Sequence, residues 1–231
     1  METEGTAGWP TTEAEALAVQ LTVRERADLT DPGPGPGDAR LIAGVDVAYD
    51  EGSDRLAAAV VLLDAATLDI VESATAAGVA RFPYVPGLLA FRELPPVLDA
   101  LAGLSRTPDL IVCDGYGLAH PRRAGLAVHL GVRTGLPCFG VAKTPFLYGH
   151  PELGPLRGDS APLLDGEEVV GRALRTRPGV RPVYVSTGHR ISLDHACAHT
   201  LALTANGYRQ PETTRRADAL CRAALRDAVA G

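Results

Sequence analysis

The stretch Asp109-Leu-Ile-Val-Cys-Asp-Gly-Tyr-Gly-Leu-Ala-His-Pro-Arg-Arg-Ala-Gly-Leu-Ala-Val-His-Leu-Gly131 decides how the chain folds. Leu110–Cys113 is a short, continuous apolar run after a proline, the pattern of a central buried strand. Asp114 stands where that strand ends, and Gly115 and Gly117 open the loop beyond it. Pro121 suits the first position of a helix whose partly apolar face would carry Gly125, Val128 and Leu130. Ligands collect at the carboxyl ends of strands in open α/β sheets. A carboxylate there, followed by glycines, a histidine and two arginines, reads as a site. Asp114 as the simple cap of a loop is the plainer alternative.

Upstream, Arg40–Tyr49 alternates as a first strand, with Ile42, Gly44, Asp46 and Ala48 on one face. Strand interiors disfavour aspartate, and a buried unpaired charge costs several kcal/mol, so Asp46 needs a partner. The small residues beside it leave room for a metal ion, and an arginine partner is the structural alternative. Arg55–Asp64 and Leu68–Gly78 follow on short connections, which predicts an antiparallel meander. After the proline-punctuated Arg81–Gly87 loop, Leu89, Glu93, Val97 and Leu101 stack along a helix. Glu93 thus points inward, Arg92 and Asp99 lie off the stripe, and Pro95-Pro96 should bend or restart the helix.

Downstream, Leu136–Ala142 reads as a second parallel strand that delivers Lys143 at its carboxyl end. Phe146–Leu164 is loop-rich, and Glu167–Thr176 and Val183–Ser186 are two further strands. Ser192 caps a helix running to Asn206-Gly207, and Pro211 opens a last one along Ala217, Leu220, Cys221, Ala224 and Leu225. At the other end, Thr12-Glu-Ala-Glu15 is a capping box ahead of Ala14, Leu17, Ala18 and Leu21 at helical spacing. The run Asp31–Gly37 cannot be regular structure and reads as an exposed loop. The expectation is a single domain over residues 1–231, with residues 1–30 packed on it and 31–38 as a Pro/Gly loop.

The 231 residues are 46% hydrophobic, enough for a proper core, yet no run of about 18 apolar residues exists to span a membrane. Met1-Glu-Thr-Glu-Gly5 lacks an apolar signal core, so a cytoplasmic protein is expected. Cys113, Cys138, Cys197 and Cys221 have no zinc spacing and fit reduced thiols. A net charge of −6 argues against gripping nucleic acid through bulk charge, though not against a local basic surface. Of 22 basic residues only Lys143 is lysine, which suggests a position that needs a compact ammonium.

Three antiparallel strands, a helix and two parallel strands with helices is the ribonuclease-H-like order, a mixed α/β sheet. In that fold Asp46, Glu93 and Asp114 converge at one end. Clustered carboxylates cannot all stay ionised without a cation. All-oxygen ligands select Mg²⁺ or Mn²⁺, and phosphodiester hydrolysis is the natural chemistry. Lys143 could then neutralise a phosphate oxygen. An actin-like ATPase would need a glycine-rich phosphate hairpin after Asp46, where Val-Ala-Tyr-Asp stands instead. A nucleic-acid-binding module without chemistry would not need the carboxylate trio.

The segments Val45-Asp46-Val-Ala-Tyr49, Phe82-Pro-Tyr84-Val-Pro-Gly-Leu-Leu-Ala-Phe-Arg-Glu93, Asp114-Gly-Tyr-Gly-Leu-Ala-His120-Pro-Arg122 and Gly140-Val-Ala-Lys143 closely resemble the endonuclease V family. The resemblance continues through Val185-Ser-Thr-Gly-His189-Arg190 and Pro211-Glu-Thr-Thr-Arg215 and covers most of the chain in order. It implies a monomeric, Mg²⁺-dependent repair nuclease acting on DNA that contains deoxyinosine or other deaminated bases. The cut would fall at the second phosphodiester bond 3′ to the lesion, leaving a 3′-hydroxyl and a 5′-phosphate. Inosine-containing RNA or single strands are the alternative substrates. By resemblance, Asp46 and Asp114 hold the metal, and Glu93 binds it directly or through water. Lys143 and His120 assist the phosphate or the attacking water. Tyr84, stiffened by Pro83 and Pro86, is the wedge, while Gly87 and Gly125 approach the flipped base with Leu126 beside them. Tyr116 receives no role, and His189-Arg190 is either a site element or a structural turn.

Overall fold

The computed structural model describes residues 9–205 and 207–230. The apolar run around Val112 becomes the buried strand β4 (Leu110–Asp114), and the rest of one mixed sheet builds on its two edges. On one side lie β1 (Leu41–Tyr49), β2 (Arg55–Asp64) and β3 (Ile70–Val79) as the expected antiparallel meander. On the other lie β5 (Cys138–Ala142), β6 (Ser160–Asp165), β7 (Glu168–Leu174) and β8 (Val183–His189). The order across the sheet is β3-β2-β1-β4-β5-β8-β7-β6, with β1, β4 and β5 parallel and β8, β7 and β6 an antiparallel wing.

Five helices among the described residues cover the sheet: α1 (Glu13–Arg26), α2 (Ala90–Ala102), α3 (Leu126–Thr134), α4 (Leu193–Ala202) and α5 (Glu212–Ala230). The alternation of β1 separates two cores. Ala43 and Val45 pack with Leu94, Val97 and Leu130 under α2 and α3. Ile42 packs with Val112, Phe139 and Cys197 on the face that α4 covers. On that second face Gly44 leaves space for a neighbouring backbone, since a Cβ there would stand 2.3 Å from the backbone of Thr213. The missing side chain lets α5 lie directly on β1, so the room beside Asp46 is partly filled by this helix.

Several expectations are corrected, each by a partner distant in sequence. The helix after Asp114 opens at Leu126 with Gly125 as N-cap, not at Pro121. Arg123 adopts φ +55°, which no helix accommodates, and its guanidinium is held by Asp165 and Glu168. α2 runs unbroken through Pro95 and Pro96. Pro95 cannot donate to the Phe91 carbonyl, and the Trp9 indole N–H takes it instead at 2.9 Å. Arg92 is buried and donates to the Phe82 carbonyl at 2.7 Å. The loop-rich Phe146–Leu164 segment contains β6, whose Pro162 is tolerated because β6 is an edge strand.

α1 keeps its capping box but buries Ala16, Gln20 and Val23 rather than the predicted stripe. The Gln20 amide is the reason, donating to the carbonyls of Gly87 (2.8 Å) and Ala124 (3.2 Å). α4 ends at Ala202, short of the predicted stop, of which Asn206 lies outside the described residues. The acidic start, Met1–Gly5, lies outside them too. The Asp31–Gly37 run is irregular as expected, but it is a fastened belt rather than a free loop. His195 and His199 on α4 donate to the carbonyls of Pro32 (2.9 Å) and Pro34 (3.0 Å), and Gly35 is buried.

Candidate active site

Strand register assembles the site. β1 and β4 pair Val45 with Cys113, so Asp46 and Asp114 follow side by side, one residue further along each strand. β4 and β5 pair Asp114 with Val141, which puts Lys143 just beyond the same end. The Lys143 ammonium lies 2.5 Å from Asp114 Oδ2 and 3.7 Å from Asp218 Oδ1 on α5. Asp218 was not foreseen from sequence. Its spacing from Arg222 reads as an ordinary helix-surface ion pair, which it also makes. Only the close seat of α5 on Gly44 turns Asp218 toward the strand ends.

The electrostatics are those of crowded acids. Burial, then the neighbouring Asp114, pushes the Asp46 carboxyl up to about 8, against the pull of Lys143. Burial also lifts Glu93 to about 8, opposed by the Tyr49 hydroxyl, which donates to Glu93 Oε1 at 2.9 Å. Asp114 Oδ2 is buried and accepts no well-aligned hydrogen bond, leaving the Lys143 ion pair as its compensation. Such a cluster fits a divalent cation. Among the described residues no three Asp, Glu, His or Cys side chains form a ready-made cage. Mg²⁺ does not require one, since it is commonly held by one or two carboxylates together with substrate phosphates and water. Asp46 and Asp114 stand side by side at the strand ends, the pair of carboxylates such a site uses.

Next to the carboxylates is a cavity of about 130 Å³ whose lining includes Glu93, Asp114, Tyr84 and Gly87. Tyr84, which lines this cavity, is 71% exposed beside exposed Pro83. Gly87 adopts φ +80°, and a Cβ there would meet the Arg122 guanidinium at 2.7 Å. Its carbonyl collects donors from Gln20 (2.8 Å), His120 (2.9 Å) and Arg122 (2.9 Å).

His120 is therefore committed to the cavity wall. Its Nδ1 accepts from the Arg122 amide at 3.2 Å, which assigns the proton to Nε2, the atom facing the Gly87 carbonyl. Burial lowers it to about 4, so it is neutral, and it stacks on Phe146. Gly125 lines the cavity and is closely packed as well: a Cβ would lie 2.3 Å from the Tyr116 carbonyl, and its amide donates to the Gly117 carbonyl at 3.1 Å. Leu126 lines the cavity, and so does Tyr116, anchored through its hydroxyl to the Thr144 carbonyl at 2.9 Å. His189-Arg190 proves to be a structural turn that grips Asp28 and Asp31.

A sequence model of the family described as Endonuclease V matches residues 22–219. The chain belongs to the endonuclease V family. Endonuclease V of Streptomyces avermitilis is 65% identical over 224 residues, covering 97% of each chain. That of Roseiflexus sp. is 53% identical over 212 residues, 92% of this chain and 93% of the relative. The crystal structure of the Streptomyces avermitilis endonuclease V matches with a TM-score of 0.93 and 64% identity, over 96% and 97% of the two chains. Ciona intestinalis endonuclease V, solved in complex with a 24mer DNA containing an inosine followed by a ribo-adenosine, matches with a TM-score of 0.81. It is 28% identical and covers 93% of this chain and 97% of that one. The sheet of this chain is the ribonuclease-H-like one that its strand order indicated, and the protein is a nuclease, a hydrolase.

Proposed function

We propose that this chain is a Mg²⁺-dependent enzyme of DNA repair, acting as a cytoplasmic monomer on deoxyinosine and other deaminated bases. It nicks the second phosphodiester bond 3′ to the lesion and leaves a 3′-hydroxyl and a 5′-phosphate. The observation that carries this reading is the contact between the cavity and the acids: Asp114 and Glu93 belong to both. A base lodged in the cavity brings its own backbone to Asp46, Asp114 and Lys143.

Tyr84 supplies an aromatic face to stack where the base leaves the helix, beside the stiff Pro83. Gly87, fixed by His120, Arg122 and Gln20, and Leu126 shape the cavity around that base. Held by Asp46 and Asp114, with Glu93 reached directly or through water, Mg²⁺ (or Mn²⁺) supplies charge neutralisation and a more acidic water. Lys143 holds an ammonium beside Asp114, where it offsets phosphate charge. Tyr49 orients Glu93.

The test is a nicking assay on one end-labelled duplex containing deoxyinosine, with and without Mg²⁺. Expected is a single product two bonds 3′ to the lesion, dependent on the ion and abolished in Asp114→Ala. Cleavage of the undamaged duplex at the same rate, or cleavage in chelator, would overturn the reading. Parallel reactions with inosine in RNA and in an unpaired strand rank the alternative substrates.

A further inference from the structure

Five arginines sit at the sheet end that carries Lys143, on its β5–β6 side, and among the described residues none of the five pairs with a carboxylate. The pairings Ala142 with Tyr184, Val183 with Leu174 and Leu174 with Ser160 put the residues just beyond them on one edge. Arg181, Arg175, Arg177 and Arg157 all fall there. Arg209 ties this edge to the active site, donating to the carbonyls of Lys143, Pro182 and, at 2.8 Å, Arg181. The other guanidinium contacts are also to carbonyls: Arg175 to Gly154 (2.6 Å), Arg177 to Gly207 (2.7 Å) and Arg157 to Leu201 (2.7 Å).

Carbonyl contacts fix the forks in place without cancelling their charge. Burial, and then the nearby Arg181, lower the pKa of Arg209, a sign of like charges held together. Glu152 lines the same groove as Arg175 and Arg181 without pairing to them, and Asp159 accepts from the Leu156 amide at 2.7 Å. In a chain of net charge −6, a band of unneutralised guanidinium groups beginning at the active-site lysine asks for a polyanion.

We infer that this arginine edge carries the phosphate backbone of the duplex flanking the cut, on one side only. The inference rests on the nuclease reading above, and it adds where the undamaged arm lies. From β5 to β6 is three strand spacings, about 14 Å, or roughly four phosphate steps along a strand. Arginine suits this surface because its planar fork meets phosphate oxygens two at a time.

The test uses Arg177→Gln/Arg181→Gln. The Arg181 guanidinium makes no hydrogen bond or ion pair among the described residues, and Arg177 holds only the exposed Gly207 carbonyl, so folding is checked simply by circular dichroism. Binding is measured in Ca²⁺ against salt concentration, on deoxyinosine duplex, on undamaged duplex, and on duplexes trimmed on either side of the lesion. Each lost phosphate contact should flatten the plot of log K against log salt by about 0.9, so the double variant is shallower by nearly two. Its deficit relative to wild type then narrows roughly tenfold between about 50 and 200 mM salt. Trimming one flank, and not the other, should erase the difference.

Parallel salt plots, or the same deficit on every length, would overturn the inference and leave the edge to an acidic protein partner. The undamaged duplex separates the two readings. A shallower plot there, with no nicking at deoxyinosine, would keep the arginine edge and reject the lesion assignment. Nicking with unchanged plots would do the reverse.

Discussion

The burial of Asp46 is a cost to the fold. Its carboxyl and that of Glu93 stand near 8, against about 4 in an unfolded chain. Between those values the folded chain binds more protons than the unfolded one, so the metal-free fold loses stability as pH rises from about 4 to about 8. Asp46→Asn should therefore gain on wild type across that window and hold a constant lead above it. Urea unfolding in chelator at pH 5 and at pH 8 reads the effect, and an equal offset at both would show an unshifted carboxyl. Lys143 belongs to the same scale. Its ammonium fits between Asp114 and Asp218 at 2.5 and 3.7 Å, where a planar guanidinium is bulkier and spreads its charge. Lys143→Arg should keep DNA binding in Ca²⁺ but lose on the order of 10²-fold in single-turnover nicking. Wild-type rates would mark the solitary lysine as an accident of composition.

At the scale of elements, the contact of α5 with β1 decides whether the fourth carboxylate, Asp218, reaches the site. Gly44→Ala puts a methyl against the Thr213 backbone, and backbone cannot turn aside as a side chain can. Overpacking of that kind costs about 1–3 kcal/mol, and it should also lift Asp218 from Lys143. The expected outcome is a lower urea midpoint together with slower nicking, and an unchanged midpoint would refute the close seat. What sequence could show follows from the same distinction between local and distant causes. Asp46, Asp114 and Lys143 were legible because strand alternation and strand ends are local patterns. So was the Thr12–Glu15 capping box, whose partners are three residues apart. Asp218 was hidden because its membership depends on a glycine in another element. Pro95-Pro96 misled because the compensating donor, Trp9, lies far upstream. Pro121 misled because Arg123 is held in its left-handed conformation by Asp165 and Glu168. His120 was legible as a cavity residue, but the loop carbonyl that its ring meets in space was not.

Over the whole molecule, the belt after α1 closes on residues near the other end of the chain. His189 Nδ1 accepts from the Asp28 amide at 3.1 Å, the Arg190 amide donates to the Asp28 carbonyl at 2.7 Å, and the Arg190 guanidinium pairs with Asp31. Burial, then Arg190, lowers the His189 pKa, while Asp28 and Asp31 oppose the shift. A histidine with a depressed folded value lends stability above its unfolded pKa of about 6.5 and loses it as pH falls toward the folded value. His189→Asn, whose amide oxygen accepts without titrating, should thus lose less stability than wild type between pH 7 and pH 5. Urea midpoints at both pH values check this, and equal losses would remove His189 from the clasp. The seat of α5 has a consequence for how the protein is made. Asp46 leaves the ribosome early, whereas Asp218 belongs to the last helix of the chain. At about 5–20 residues per second, roughly ten seconds or more separate the two. Through that interval the nascent polypeptide carries Asp46 without Asp218, so a prematurely terminated translation product lacks the part of the charge cluster that α5 brings.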